Sequence, residues 1–535
     1  MKRIQGWGNV ETDYPVPEPA KRYLAGAVGA PLQLKDTTLE ELVTKVPDSR
    51  LKPNPMVSTD AIERLGHARG QSTRDWVEMR DGLIQTFPDG VAYPGSVEDV
   101  KEIIQYAMQM GCKLIPYGGG SSVVGHLTPT GSDQPFLSVD MTKMDKVVGI
   151  NESDMTAVIQ AGARGPILEE QLNAAGYTLG HFPQSWEYST LGGWLVTRSV
   201  GQQSYYYGRI EPLFAGGHLE TAFGGYELPV IVKSAAGPDL RELVLGSEAR
   251  LGILTHATMR IRKLPERERW YAAFFPNWEE GVKAEMEVAQ RQIPVCMSRL
   301  SDAMETETTM QLSGEEKLVN FAKKGLNLVG MGDERIMLIY GVTGEAKSGR
   351  FAKGEMEAII RKHHGIPINF YLGPAWMKKR FLTPYLRNTL WELGYSLDTF
   401  ETSLPWSVLK QYQKAVMHDL VHALEPVNEK VLAFSHISHI YTNGGSMYIT
   451  YAYRRAAEPE ATLQRWQTIK EKVSQRILEY GGTISHQHGV GLDHKPYLPK
   501  EKGEMGLAIL RNVMGTCDPQ GIFNPGKLVD SGDRK

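Results

Sequence analysis

The stretch "GVAYPGSVEDVKEIIQYAMQMGCKLIPYGGGSSVVG", residues 90–125, decides how this chain is read. Ser96 stands at a helix start with Asp99 three residues on, the capping-box spacing. Val97, Val100, Ile103, Ile104, Ala107 and Met108 then recur on one helical face. Gly111 ends the helix and "KLIP" reads as a short strand, so the order is helix, strand, glycine loop. In that loop Gly118, Gly119 and Gly120 leave backbone N–H groups uncovered, and Ser121 and Ser122 add hydroxyl donors. Such a nest suits the oxygens of a pyrophosphate; a plain tight turn accounts for the same residues. It is neither a P-loop nor a G-x-G-x-x-G fingerprint, because neither pattern occurs here.

Outward from this loop, short strands are expected in "FLSVDMTKMDKVVGINESDMTAVIQAGA" and a helix in "PILEEQLNAAG". A long irregular stretch, 177–212, ends in aromatics, and strands return in "LPVIV", "ELVLG" and "LGILTHATMRIRKLP". A second glycine-rich segment, 189–210, sets Gly192 and Gly193 beside Ser189, Thr190 and Thr197; Gly246 and Gly252 bracket a third turn. Each is also compatible with a simple connection between strands. Four segments follow: an extension with a helical stretch near 58–85 (1–85), an α+β domain (86–266), a second domain (267–480) and a C-terminal segment (481–535). The second domain repeats strand and helix patterns, which predicts a partly antiparallel sheet with helices packed on it. In "GGSMYITYAYRR", Met447, Ile449, Tyr451 and Tyr453 share one face, with Tyr448, Thr450 and Ala452 on the other. The helix after it carries the stripe Leu463, Trp466, Ile469, Val473 and Ile477.

At 535 residues the chain is too long for one hydrophobic core. A net charge of −3 provides no field that draws it to nucleic acid. Cys112, Cys296 and Cys517 are too few and too scattered for a disulfide framework or a zinc cluster. The N-terminus lacks an apolar signal region, and no run of 18 apolar residues occurs. A cytoplasmic or organelle-lumen protein is expected, with peripheral membrane contact left open.

Four groups carry candidate chemistry. Arg299 in "SRLSD" and Arg387 in "YLRN" lie in apolar or aromatic surroundings, where a buried guanidinium needs a carboxylate or phosphate partner; a structural salt bridge satisfies that as well. His486 and His488 sit in "GGTISHQHGVGLD", and in an extended segment they project to one side. No HExxH and no Cys–His cluster accompanies them, so no metal is expected. The phenol of Tyr448 needs a lowered pKa, or a strongly basic partner, to act as a base.

Taken together, "YGGGSSVVG", "STLGGW…G…YG", "GSEARLGILT" and "GGTISHQHGVG…DPQGIFNPGKL" resemble the FAD-binding flavoprotein superfamily that includes vanillyl-alcohol oxidase and D-lactate dehydrogenases. Within it they are similar to the alkyldihydroxyacetonephosphate synthases of ether-lipid synthesis, over almost the whole chain. The resemblance implies an α+β fold, with a two-part, PCMH-type FAD domain and an α/β substrate cap. It implies noncovalent FAD held by Pro116, Tyr117, Gly118, Gly119, Gly120, Ser121, Ser122, Val123 and Val124. Ser185, Ser189, Thr190, Leu191, Gly192, Gly193, Thr197, Ser199 and Val200 serve the ring side, and Gly246, Ser247, Glu248, Gly252 and Ile253 complete the pocket. By the same resemblance Arg387 binds a substrate phosphate, and Tyr448, Arg299, His486 and His488 are catalytic. His126 follows the glycine loop outside the usual register of a flavinylated histidine. The implied reaction exchanges the acyl group of acyl-dihydroxyacetonephosphate for a fatty alcohol, on a homodimer at a membrane surface. Gln487 replaces the middle of the family's three histidines, and an amide carries no proton at neutral pH. The alternative is an FAD-dependent oxidase or dehydrogenase of a 2-hydroxy acid or phenolic alcohol on the same fold.

Overall fold

The computed structural model describes residues 1–131, 133–312, 323–369 and 371–530. The capping box at Ser96 and Asp99 forms, with the Asp99 amide donating to Ser96 Oγ at 3.1 Å, and the helix runs Val97–Met110 before Gly111 turns left-handed. Its stripe Val100, Ile103, Ile104 and Ala107 packs between two sheets, against Leu114, Leu137 and Val139 on one side and Ile253 on the other. The first sheet has the order 57–58, 90–92, 136–140, 113–117, its last three strands parallel. The second is antiparallel, in the order 147–151, 156–160, 253–260, 214–221, 224–228.

The rest of the fold is a seven-stranded sheet in the order 366–368, 267–275, 336–344, 297–301, 432–441, 444–454, 395–405, antiparallel at every pairing. The sequence pattern predicts an antiparallel sheet only in part; one tight hairpin, 432–441 with 444–454, and helical connections that return strands beside non-adjacent neighbours make it antiparallel throughout. Helices 278–290, 346–362, 406–421 and 459–479 pack one face of this sheet, over Leu300, Leu338, Met447, Ile449 and Tyr451. The alternation along 444–454 thereby sends Tyr448 and Thr450 to the opposite face.

Both chain ends cross to the other half. Helix 18–28 packs on Leu386, Leu390, Tyr395 and Leu432 of the cap. The tail returns to the first sheet, where the Leu114 amide donates to the Ile522 carbonyl at 2.7 Å and Asn524 donates back to Leu114.

Two expected strands do not form. "LPVIV" leaves the sheet at Pro229, with Val230 and Val232 52% and 85% exposed, because proline offers no ladder N–H. "ELVLG" is a helical turn, Arg241–Val244. The helical stretch near 58–85 resolves into Ala61–Gly66 and Thr73–Arg80, each with its own capping residue. No helix among the described residues is long and apolar enough to cross a membrane.

Candidate active site

The glycine loop, the 185–199 segment and the C-terminal segment close around one cleft of about 1090 Å³. Pro116 to Val123, Ser185, Ser189, Thr190, Gly192, Gly193, Thr197, Ser199, Glu248 and Ile253 line it. Val124, Leu191 and Val200 are buried behind the wall, and Gly246, Ser247 and Gly252 lie outside the lining. The loop amides from Gly119 to Val123 donate to no described residue, so they remain available to an anion. A Cβ on Gly119 would overlap the Tyr188 carbonyl, so the two cleft walls meet there at backbone distance. No lysine or arginine lines the cleft, but Lys2 Nζ reaches the loop from the N-terminus, 2.5 Å from Tyr117 Oη and 2.9 Å from the Gly119 carbonyl. These unpaired donors, in a long cleft whose other end is formed by Gln487 and His488, fit a flavin dinucleotide.

The hinge between cleft and cap is made of carboxylates. Glu248 lies 2.9 Å from His126 Nε2 and accepts from the amides of Val490 at 2.5 Å and Gly491 at 3.0 Å. Burial raises the Glu248 carboxyl, but His126 and these amides hold it below the usual range. His126 Nδ1 is 2.7 Å from Ser122 Oγ, so both ring nitrogens are engaged. Glu401, fully buried on strand 395–405, accepts from Ser485 Oγ at 2.9 Å and from the amides of His486, Gln487 and His488 at 2.5, 3.2 and 3.0 Å. That single carboxylate bends the loop, and the two histidines diverge instead of sharing a side as an extended segment would require.

His488 faces the cap, its Nδ1 3.5 Å from Glu401 and its ring edge-on to Tyr448 at 5.7 Å. Burial lowers its pKa while Glu401 opposes, so it rests neutral. His486 points the other way: its Nε2 receives Arg209 Nη1 at 2.8 Å and Tyr441 Oη at 2.6 Å, which places the proton on Nδ1. Burial, His439 and Arg209 keep it neutral, well below the ordinary imidazole range. Gln487 lines the cleft between them.

Cross-strand register assembles the other groups. Tyr448 is paired with Glu401 on one side and His436 on the other, and His436 with Ser301. Tyr448 stacks on His436 at 5.1 Å and donates to Thr399 Oγ1 at 3.0 Å. Burial pushes its phenol up to about 12, with Glu401 adding to the effect. In the ground state it is a hydrogen-bond donor, so the lowered pKa that a phenolate base needs is not provided here. Arg299 stands behind His436, donating to Glu305 Oε1 at 2.7 Å, and His436 Nδ1 meets the same oxygen at 3.0 Å. Burial would raise Glu305, but His436 and Arg299 hold it well below the usual range.

Arg387 lies apart from the cleft lining. Its guanidinium sits 4.4 Å over Trp76, donates to the Gln71 carbonyl and to Thr73 Oγ1 at 3.0 Å, and leaves a buried Nε without partner. Glu401, Glu305, Arg209 and Tyr441 were not legible as site residues. Their only sequence mark is a charge or phenol inside an otherwise strand-like or aromatic run. Among the described residues no group of three or more His, Cys, Asp or Glu side chains could hold a metal ion.

Known proteins resemble this chain in sequence and fold. A profile described as "FAD binding domain" matches residues 88–224, and one described as "FAD linked oxidases, C-terminal domain" matches residues 264–528. The alkyldihydroxyacetonephosphate synthase of Dictyostelium discoideum is 32% identical over 477 residues, covering 88% of this chain and 78% of that protein. That of Trypanosoma brucei brucei is 29% identical over 488 residues, covering 89% and 78%. A solved alkyldihydroxyacetonephosphate synthase matches with a TM-score of 0.84 and 27% identity, over 98% of this chain and 99% of that one.

Proposed function

Because this chain belongs to the FAD-linked flavoproteins of the vanillyl-alcohol oxidase type and is related to the alkyldihydroxyacetonephosphate synthases, we propose that it catalyses acyl-for-alkyl exchange on acyl-dihydroxyacetonephosphate. The carboxylate of a fatty acid leaves C1 with its ester oxygen, the oxygen of a fatty alcohol takes its place, and the alcohol proton ends in solution or on the acid. Bound FAD supplies a nucleophilic ring edge for this exchange and undergoes no net redox change.

The observation that carries the reading is the meeting of His488, at the end of the cleft, with Tyr448, on the cap face turned towards it. Neutral His488 accepts the proton of the incoming alcohol, and Glu401 beside Nδ1 stabilises the imidazolium that results. Tyr448, held as a neutral phenol, turns its single O–H from Thr399 Oγ1 to the departing carboxylate. His486, locked by Arg209 and Tyr441, orients the loop and transfers no proton in the reaction. Arg299 keeps Glu305 and His436 aligned beneath Tyr448. Arg387, with a free Nε, offers the phosphate a planar donor edge. Noncovalent FAD is supported by the engagement of both His126 nitrogens. A lipid-surface partner is supported by the exposed apolar side chains Phe223, Val230 and Val232 at the two ends of strand 224–228.

The test is purified holoprotein given palmitoyl-dihydroxyacetonephosphate and labelled hexadecanol. Ether product with equimolar palmitate is expected, without bleaching of the flavin. Anaerobic bleaching by a 2-hydroxy acid or a phenolic alcohol, with no ether formed, would replace this reading by oxidoreductase chemistry.

A further inference from the structure

Residues 2–9, "KRIQGWGN", form a loop closed on itself and held against both halves of the protein. Lys2 and Asn9 make an antiparallel bridge, and the Arg3 amide donates to the Gly8 carbonyl at 2.8 Å. On the cap side, Trp7 is buried and exchanges two 2.9 Å hydrogen bonds with the Asn388 side chain. Asn9 Nδ2 donates to Tyr385 Oη at 3.0 Å, and a Cβ on Gly8, whose φ is +83°, would overlap that tyrosine ring. Tyr385 and Asn388 flank Arg387 in the chain.

On the cofactor side the loop delivers one charge. Lys2 Nζ donates to Tyr117 Oη at 2.5 Å and to the Gly119 carbonyl at 2.9 Å, while the Tyr117 hydroxyl donates to the Gly66 carbonyl at 3.5 Å. The ammonium stands 3.0 Å from the place a Cβ on Gly120 would take, over the loop whose amides are uncovered. An ammonium has three N–H groups, so one is left for a ligand oxygen. Lys2 forms no ion pair with a carboxylate among the described residues. An exposed lysine ordinarily keeps its charge in water on a mobile stem; here two acceptors fix it beside the glycine loop. Tyr117, Gly118, Gly119 and Gly120 line the cleft, and no lysine or arginine does. The acid that lines it, Glu248, is already engaged by His126. A diphosphate on the loop amides would therefore meet one full positive charge, that of Lys2.

We infer that Lys2 is the counter-ion of the cofactor's diphosphate, and that loop 2–9 is a strap tying that diphosphate to the cap. This rests on the FAD reading and not on the reaction proposed above.

The test takes the whole chain, freed of cofactor, and titrates it with FAD and with riboflavin, followed by quenching of flavin fluorescence. Lys2→Met should weaken the Kd for FAD roughly 5- to 20-fold at low ionic strength, and added salt should narrow the gap. Riboflavin, which has no phosphate, should bind as it does to wild type. Lys2→Arg should keep most of the FAD affinity. Gly8→Ala retains the ammonium but pushes the strap off Tyr385, so it too should weaken FAD and speed its release from the holoprotein. FAD affinity in Lys2→Met within twofold of wild type at low salt overturns the assignment of Lys2. So does an equal loss for both ligands, which would make Lys2 a structural prop of Tyr117. Undiminished FAD affinity in Gly8→Ala overturns the strap. A wild-type chain that binds neither ligand defeats the cofactor reading itself, whereas tight FAD binding indifferent to Lys2→Met defeats this inference alone.

Discussion

Replacing Glu401 by glutamine alters the buried link between the cap sheet and the histidine loop while keeping its volume. The carboxylate accepts three consecutive amides and one hydroxyl, and each hydrogen bond to a charged group contributes about 1.5–3 kcal/mol. Glutamine keeps one acceptor oxygen and turns the other position into a donor. Placed with its oxygen towards Ser485, Gln487 and His488, it sets an N–H against the amide of His486, so one charged bond is lost and three become neutral. Loop placement is then weakened by roughly 3 kcal/mol. The anion 3.5 Å from His488 Nδ1 also disappears, and with it the stabilisation of the imidazolium formed during turnover. Together these predict a fall in kcat of about 10²- to 10³-fold. The readout is ether formation across pH, with flavin content as control, because Glu401 does not line the cleft. The sign of the pH effect follows from His488. Burial already lowers its pKa and Glu401 opposes that shift, so removing the carboxylate lowers it further. The acid limb of the kcat profile should therefore move to lower pH as its height falls. Turnover within twofold of wild type, or an acid limb displaced upwards, would refute the reasoning.

Tyr448→Phe removes the donor to Thr399 and leaves the stack on His436, so turnover should fall at least 10-fold with flavin content unchanged; near-normal turnover would remove the phenol from the mechanism. Gly119→Ala forces the glycine loop away from the Tyr188 carbonyl, and the purified protein should carry substoichiometric FAD, measured as the ratio of visible to ultraviolet absorbance. Burial pushes Glu285 up to about 8, with only Ser298 Oγ, among the described residues, bonded to its side chain. A raised folded pKa gives stability that is complete below the unfolded value, near 4.3, and is lost as pH rises through about 8. Glu285→Gln should thus gain melting temperature over wild type progressively from pH 5 to pH 9, and a difference constant with pH would contradict this.

Local rules carry the parts of this protein whose partners lie close in sequence. The capping box at Ser96, the stripe from Val100 to Ala107 and the two-residue alternation around Tyr448 depend on spacings of two to four residues, and each forms as the pattern predicts. Where a proline intervened, as at Pro229, apolar composition misled, because burial and not hydrophobicity decides whether a strand joins a sheet.

Sequence by itself therefore determined the α+β class, the glycine loop with its uncovered amides, and which face of strand 444–454 carries the phenol. Only the tertiary structure decided what those groups meet. Glu401 is separated from His486 by 85 residues and Arg209 from it by 277, and no periodicity links such positions. The protonation states followed as well, because the Tyr448 phenol and the two loop imidazoles are set by burial and by neighbours from distant strands. The physical reason is range. Backbone geometry and side-chain spacing act over one turn or one pleat, whereas desolvation and charge act through space on whatever the folded chain brings near.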